Sequence, residues 1–138
     1  MKPYVHQVHY YETDKMGITH HSNYVRFMEE ARVDYLNQLG TAFDKIEADG
    51  ISSPVITLEC SYKKTTTFPD EIFIYVKPKK LTTFKLTFSY EMKVNGEVCF
   101  RGESSHCFLD SNGNPVVLEK NYPDFCAALH REMESTES

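Results

Sequence analysis

Ser22-Asn23-Tyr24-Val25-Arg26-Phe27-Met28-Glu29-Glu30-Ala31-Arg32-Val33-Asp34-Tyr35-Leu36-Asn37-Gln38-Leu39-Gly40 is the stretch on which the fold turns. Tyr24, Phe27, Met28, Ala31, Tyr35, Leu36 and Leu39 recur at intervals of three and four, which puts them on one face of a helix. Arg26, Glu29, Glu30, Asp34 and Gln38 fall on the other side. Ser22 or Thr19 is placed to cap the start, and Gly40 to end it. Such a helix is on the order of 27 Å long and needs a broad apolar surface to lie against.

The residues after it supply that surface. From Val55 to Lys63, Ile56, Leu58, Cys60 and Tyr62 alternate with Thr57, Glu59, Ser61 and Lys63. An apolar run follows from Ile72 to Pro78. In Thr83–Val94, Phe84, Leu86, Phe88, Tyr90, Met92 and Val94 share one side of an alternating strand. Asn95-Gly96 is a strong hairpin signal, and Val98–Leu109 is the return strand, with Gly102 a candidate bulge. Asp110–Pro115 reads as a turn, Val116–Leu118 as a short extra strand, and Pro123 as the first turn of a short C-terminal helix. Before the long helix, Pro3–Tyr11 is rich in Tyr and Val and reads as a strand. One amphipathic helix followed by helix-free, hence antiparallel, strands is an α+β, two-layer design. Sheet edges and aromatic surface left open by one copy predict an oligomer.

The chain has 138 residues, 25% of them charged, and a formal net charge of −5. One domain over 1–138 is expected, with 132–138 a loose tail. An acidic chain is a poor non-specific binder of nucleic acid. No apolar run is long enough for a membrane-spanning helix, and Met1-Lys2-Pro3-Tyr4 does not open a secretory signal. The four cysteines (Cys60, Cys99, Cys107 and Cys126) include no Cys-x-x-Cys pair and read as free thiols of a cytoplasmic protein. The histidines lack metal-site spacing; adjacent His20 and His21 diverge, so no metal is expected. Gly102–His106 lacks the second glycine of a nucleophile elbow, no phosphate-binding loop exists, and Asp110–Asn114 does not continue as a calcium loop.

The chemistry concentrates in Tyr11-Glu12-Thr13-Asp14-Lys15-Met16-Gly17-Ile18-Thr19-His20-His21-Ser22-Asn23-Tyr24, where a carboxylate and a flexible glycine precede a helix start. Free N–H groups there attract negative charge, and a carboxylate folded back beside them suits acyl transfer. Taken alone, Asp14 reads first as the closing residue of an Asx-turn, Glu12 as a solvated strand-end charge, and Glu29 and Glu30 as a solvated helix face.

This stretch resembles the hot-dog fold acyl-CoA thioesterases, in their 4-hydroxybenzoyl-CoA thioesterase-like branch. The matching residues are Glu12-Thr13-Asp14, Met16-Gly17, His21, Asn23-Tyr24, Phe27, Glu29-Glu30-Ala31 and Arg32, with Tyr62-Lys63-Lys64 and Asp70 further on. The resemblance implies one long central helix wrapped by a curved antiparallel sheet of about five strands. It implies an enzyme releasing a free acid and coenzyme A, with Asp14 as nucleophile or general base. It places the oxyanion donor at the helix start, the His21 amide with Ser22 beside it, and it makes Gly17 the residue that lets the loop turn. The His21 side chain would help orient substrate. Tyr24 and Tyr62 would line the acyl or pantetheine channel, and Lys63, Lys64, Lys79 and Lys80 would meet the nucleotide phosphates. No cofactor is implied, since coenzyme A is part of the substrate; the partner expected is a second copy, in a homodimer or homotetramer. A non-catalytic acyl-CoA-binding module and a dehydratase of β-hydroxyacyl thioesters are the alternatives on the same scaffold.

Overall fold

The computed structural model describes residues 1–134. Strand β1 (Tyr4–Gln7) leads through a 3₁₀ turn (Tyr10–Glu12) into α1 (Asn23–Gln38) and α2 (Thr41–Ala48). Four strands follow, β2 (Val55–Tyr62), β3 (Glu71–Leu81), β4 (Leu86–Val94) and β5 (Glu97–His106), and then α3 (Leu118–Asn121) and α4 (Pro123–Glu134). The five strands form one antiparallel sheet in the order β1-β3-β4-β5-β2. This is the α+β arrangement expected from the sequence.

Helix α1 buries Tyr24, Phe27, Met28, Ala31 and Tyr35. Burial of each of its larger apolar side chains contributes about 1.5–3 kcal/mol. Beneath it, β4 buries Leu86, Phe88, Tyr90 and Met92 in strict alternation, and β5 offers Phe100, Gly102 and Ser104 opposite them. Gly102 is not at a bulge: it pairs in register with Tyr90 and Cys60. It is needed for closeness, because a Cβ there would lie 2.8 Å from the Glu59 carbonyl oxygen and 3.1 Å from Met28 Cε. The register shift in this hairpin falls between Met92 and Lys93, next to a turn in which Asn95 and Gly96 both have positive φ, as a two-residue turn of that hand requires. Pro78 is tolerated inside β3 because the pairing to β4 shifts immediately after it.

Several boundaries differ from the sequence reading. β1 stops at Gln7, because the chain turns at Tyr10–Glu12. Helix α2, which buries Ile46, was not expected; Gly40 at φ +66° reverses the chain into it. Phe84 lies outside β4 and is half exposed, since Thr82 N–H bonds back to the Lys85 carbonyl. Val116–Leu118 makes no strand: Val116 N–H reaches the Phe108 carbonyl, and Leu118 starts α3. Residues 132–134 belong to α4, and 135–138 lie outside the described residues. Neither expected cap forms on α1, as Ser22 Oγ pairs with His20 Nδ1 and Thr19 Oγ1 with Thr66.

Among the described residues strand β2 pairs only with β5, and Val55, Ile56, Leu58 and Tyr62 along it are 41–51% exposed. Under the middle of α1 runs a polar chain: Arg32 Nη1 donates to Tyr90 Oη (3.1 Å), which bonds Ser104 Oγ (2.6 Å), which bonds His106 Nε2 (2.8 Å). His106 is fully buried, and burial, followed by the Arg32 charge, pulls its imidazole pKa down to about 4.

Candidate active site

The segment between the 3₁₀ turn and α1 is folded onto itself. Thr13 bridges Thr19, Asp14 N–H donates to the Ile18 carbonyl (2.9 Å), and Gly17 N–H donates to the Asp14 carbonyl (2.9 Å). That tight turn requires a residue at φ +78°, which Gly17 supplies. Met16 N–H donates to Asp14 Oδ1 at 2.8 Å, so Asp14 does close an Asx-turn. The turn fixes the carboxylate in place without burying it; Asp14 remains half-buried. Thr67 Oγ1 anchors the Gly17 carbonyl from the loop before β3 (2.7 Å), and Thr19 N–H reaches the Thr66 carbonyl (2.8 Å).

The first amides of α1 are spoken for unequally. Ser22 N–H faces His20 Nδ1 (3.3 Å), Asn23 N–H the His20 carbonyl (3.0 Å) and Tyr24 N–H the His21 carbonyl (3.3 Å). Among the described residues no acceptor stands against the His21 N–H. Asp14, His21, Tyr24, Tyr62, Lys63 and Lys64 line one cavity of about 310 Å³. Tyr24 is buried, stacked on Phe100 (5.2 Å between centroids), with its hydroxyl 2.8 Å from Thr66 Oγ1. Tyr62 donates to the His21 carbonyl (3.1 Å) and so braces the helix start from β2. Burial raises the pKa of both phenols, so both are neutral at ordinary pH. A carboxylate and an unmatched amide on residues that line one cavity are the two groups needed to activate a nucleophile and hold an oxyanion there.

The sequence profile of the thioesterase-like superfamily matches residues 8–129 of this chain. The chain belongs to that superfamily. Among solved structures, a DHNA-CoA thioesterase from Staphylococcus aureus is 30% identical, with 94% of this chain and 89% of that one covered at a TM-score of 0.85. A hypothetical protein from Aquifex aeolicus is 32% identical, covering 89% and 97%, at a TM-score of 0.81. A 1,4-dihydroxy-2-naphthoyl-CoA hydrolase of Thermosynechococcus vestitus is 26% identical over 97 residues, 70% of this chain and 66% of the relative. The hot-dog fold and the thioester-hydrolase class implied by the resemblance are therefore those of this thioesterase-like chain.

The cavity of this thioesterase-like chain gathers Asp14, His21, Tyr24, Tyr62, Lys63 and Lys64. Gly17 shapes the turn, and Ser22 presents its amide to His20 rather than to the cavity. Lys64 is ion-paired to Glu97 (2.7 Å) at the rim. Lys79 and Lys80 are not brought to this cavity. They sit at the far end of β3, about nine residues and roughly 30 Å along the strand from Asp70, with Lys79 paired to Glu103 (2.6 Å). A larger cleft of about 780 Å³ opens among Glu59, Tyr75, Glu91, Arg101 and Glu103, but Arg101 and Glu91 neutralise one another there (3.1 Å).

Glu12 was read as a solvated charge, yet it is 3% exposed. Its Oε1 accepts the His9 N–H (2.7 Å) and faces His6 Nε2 (2.9 Å). His6, His9 and Glu12 bring one donor atom each within 4.8 Å, the only such metal-capable group among the described residues. The carboxylate oxygen in it is already matched to the amide and the imidazole, so a cation there would have to displace them. The spacing of His6, His9 and Glu12 in threes is the signal that sequence reasoning passed over.

No helix among the described residues is long and apolar enough to cross a membrane.

Proposed function

We propose that this protein hydrolyses acyl-CoA thioesters in the cavity at the start of α1. The observation that supports it best is that Asp14, its carboxylate fixed by the Met16 amide, and His21, whose N–H has no acceptor among the described residues, line the same cavity. In this reading the thioester carbonyl oxygen accepts the His21 N–H. Asp14 draws a proton from water as the water oxygen adds to the carbonyl carbon, or adds through its own oxygen first. Collapse of the tetrahedral adduct breaks the C–S bond. On the water route the thiolate takes the proton that Asp14 drew off, and a free acid and coenzyme A leave. On the nucleophile route the thiolate leaves an acyl-Asp14 anhydride, which one water then hydrolyses to the free acid, supplying the proton that the thiolate takes up. One such amide contributes about 2.7–4 kcal/mol to the barrier, and a positioned base roughly 10²–10⁴-fold in rate.

Two relatives are named for 1,4-dihydroxy-2-naphthoyl-CoA or DHNA-CoA, which supports trying a coenzyme A thioester of an aromatic acid among the first substrates. Lys63 and Lys64 stand at the rim where nucleotide phosphates would be met. A second copy along the exposed edge of β2 is part of the reading, since among the described residues no strand pairs with that edge and its apolar side chains are about half exposed.

The test is release of free thiol from aryl-, short-chain and medium-chain acyl-CoA substrates by the intact protein. Saturable release from at least one is expected. Double-bond formation without thiol, or tight binding with no turnover on any of them, would overturn the proposal. Light scattering on the same sample should return a multiple of the 138-residue chain mass.

A further inference from the structure

Both ends of the loop that carries Asp14 meet at Glu12. Its main-chain oxygen accepts the His20 N–H (2.9 Å) and the side-chain amide of Asn23 (2.9 Å), the first residue of α1. Its carboxylate is buried and gripped by the His9 N–H and by His6. His6 in turn packs on Phe27 of α1 (4.1 Å between centroids), with Nδ1 3.5 Å from Glu30 Oε2 on the same helix. Tyr4 Oη approaches that Glu30 oxygen as well (3.4 Å). One residue therefore joins β1, the Asp14 turn and the helix start.

A buried carboxylate is costly unless paired, and an apolar side chain would fill the same volume without that cost. What the carboxylate adds is direction: its two fixed bonds, to the His9 N–H and His6, set where residue 12 sits. Asp14 lies two residues beyond it on one branch, and the His21 amide one residue beyond His20 on the other. We propose that Glu12, held by His6, is a positioning residue that fixes the gap between the Asp14 carboxylate and the His21 amide. The inference rests on the reading of Asp14 and His21 given above. A misplacement of about 1 Å between reacting groups costs on the order of 10²-fold in rate.

Glu12→Gln keeps an oxygen for the His9 amide and gives up the charge that His6 holds. Asn23→Ala cuts the same joint from the helix side, at a half-exposed residue, and serves if Glu12→Gln does not fold. For either variant kcat on a thioester should fall about 10- to 100-fold, with KM within about threefold. In an Asp14→Asn background the same change should lower the residual kcat by less than about twofold, because the gap no longer matters once the base is gone. Amide exchange at Asp14, Gly17, Thr19 and His20 should quicken by about tenfold or more, while β4 and β5 keep wild-type protection. A variant with wild-type kcat, a loss that multiplies undiminished with Asp14→Asn, or unaltered exchange in this loop would overturn the proposal. So would zinc ions that raise wild-type turnover and Tm but leave a His9→Ala variant untouched, since the group would then be a cation site. Should the wild-type chain release no thiol at all, the reading of the reaction fails, and the exchange measurement still decides the role of Glu12.

Discussion

Replacing Asp14 by Asn isolates its charge from its structure. Asn retains an oxygen 2.8 Å from the Met16 amide, so the Asx-turn and the Gly17 turn behind it persist. Asp14 is half-buried and on a loop, so stability should stay within about 0.5 kcal/mol of wild type. What disappears is a base, or nucleophile, at a position the loop still defines. The loss in kcat should be about 10²–10⁴-fold, equivalent to roughly 2.7–5.4 kcal/mol of barrier. KM should change little, because the cavity walls at Tyr24 and Tyr62 are untouched. Asp14→Ala should lose as much turnover and also some loop order. The assay is steady-state thiol release alongside thermal unfolding by circular dichroism. A kcat for Asp14→Asn within about threefold of wild type, at unchanged Tm, would refute the reasoning and move the chemistry elsewhere. A rise in KM alone would reduce Asp14 to a binding group.

The remaining predictions concern the scaffold. Gly102→Ala forces a Cβ to 2.8 Å from the Glu59 carbonyl oxygen, a backbone atom held by the β2–β5 pairing, and should destabilise by about 1–3 kcal/mol in urea unfolding. His106 is depressed from 6.5 to about 4 on folding, so the unfolded chain takes up its proton first as pH falls. Its stabilisation is full above about pH 6.5 and is lost down to about pH 4, up to roughly 3 kcal/mol, and unfolding curves of His106→Gln should show a shallower slope in that window. Burial pushes the Cys99 and Cys126 thiols up to about 11, so mass spectrometry after brief iodoacetamide treatment at pH 8 should find both unmodified in the folded chain and labelled in urea.

What the sequence disclosed is what repeats locally. The α1 stripe, the β4 alternation from Leu86 onward and the Asn95-Gly96 turn each write their geometry into neighbouring residues, and each stands where the local pattern put it, with Phe84 alone falling outside its strand. Helix α2 spans only eight residues around Phe43 and Ile46, too few for a period to show against its polar neighbours. β2 alternates as a strand should, but the inference from alternation to one buried face fails: within the chain nearly every residue along it is exposed. Alternation marks a side chain meant for cover without saying whose atoms provide it. Lys79 and Lys80 resembled Lys63 and Lys64 in composition alone, and the length of β3 separates them. Glu12 stayed hidden because its burial depends on His6 from a different element and on Phe27 behind that, and charge by itself reads as solvent exposure.

Tyr24 explains how a loop site of this kind keeps its shape. Its backbone stands at the first turn of α1, while its ring is buried between Phe27, Phe100 and Tyr62 and its hydroxyl closes on Thr66. Thr66 also receives Thr19, from the same loop as Asp14. The position of the helix start is thus set by core packing, and the position of the Asp14 turn by hydrogen bonds to the same segment before β3. Neither half of the site can shift far without disturbing a ring stack or a buried hydroxyl chain, each of which is tied to the central sheet. A carboxylate on a half-exposed loop would ordinarily sample many directions. Here the loop is short, closed by its own Asx-turn, and anchored on one side to the aromatic cluster of Tyr24, Phe27 and Phe100, which is the condition for a base to stay where an acyl group would meet it.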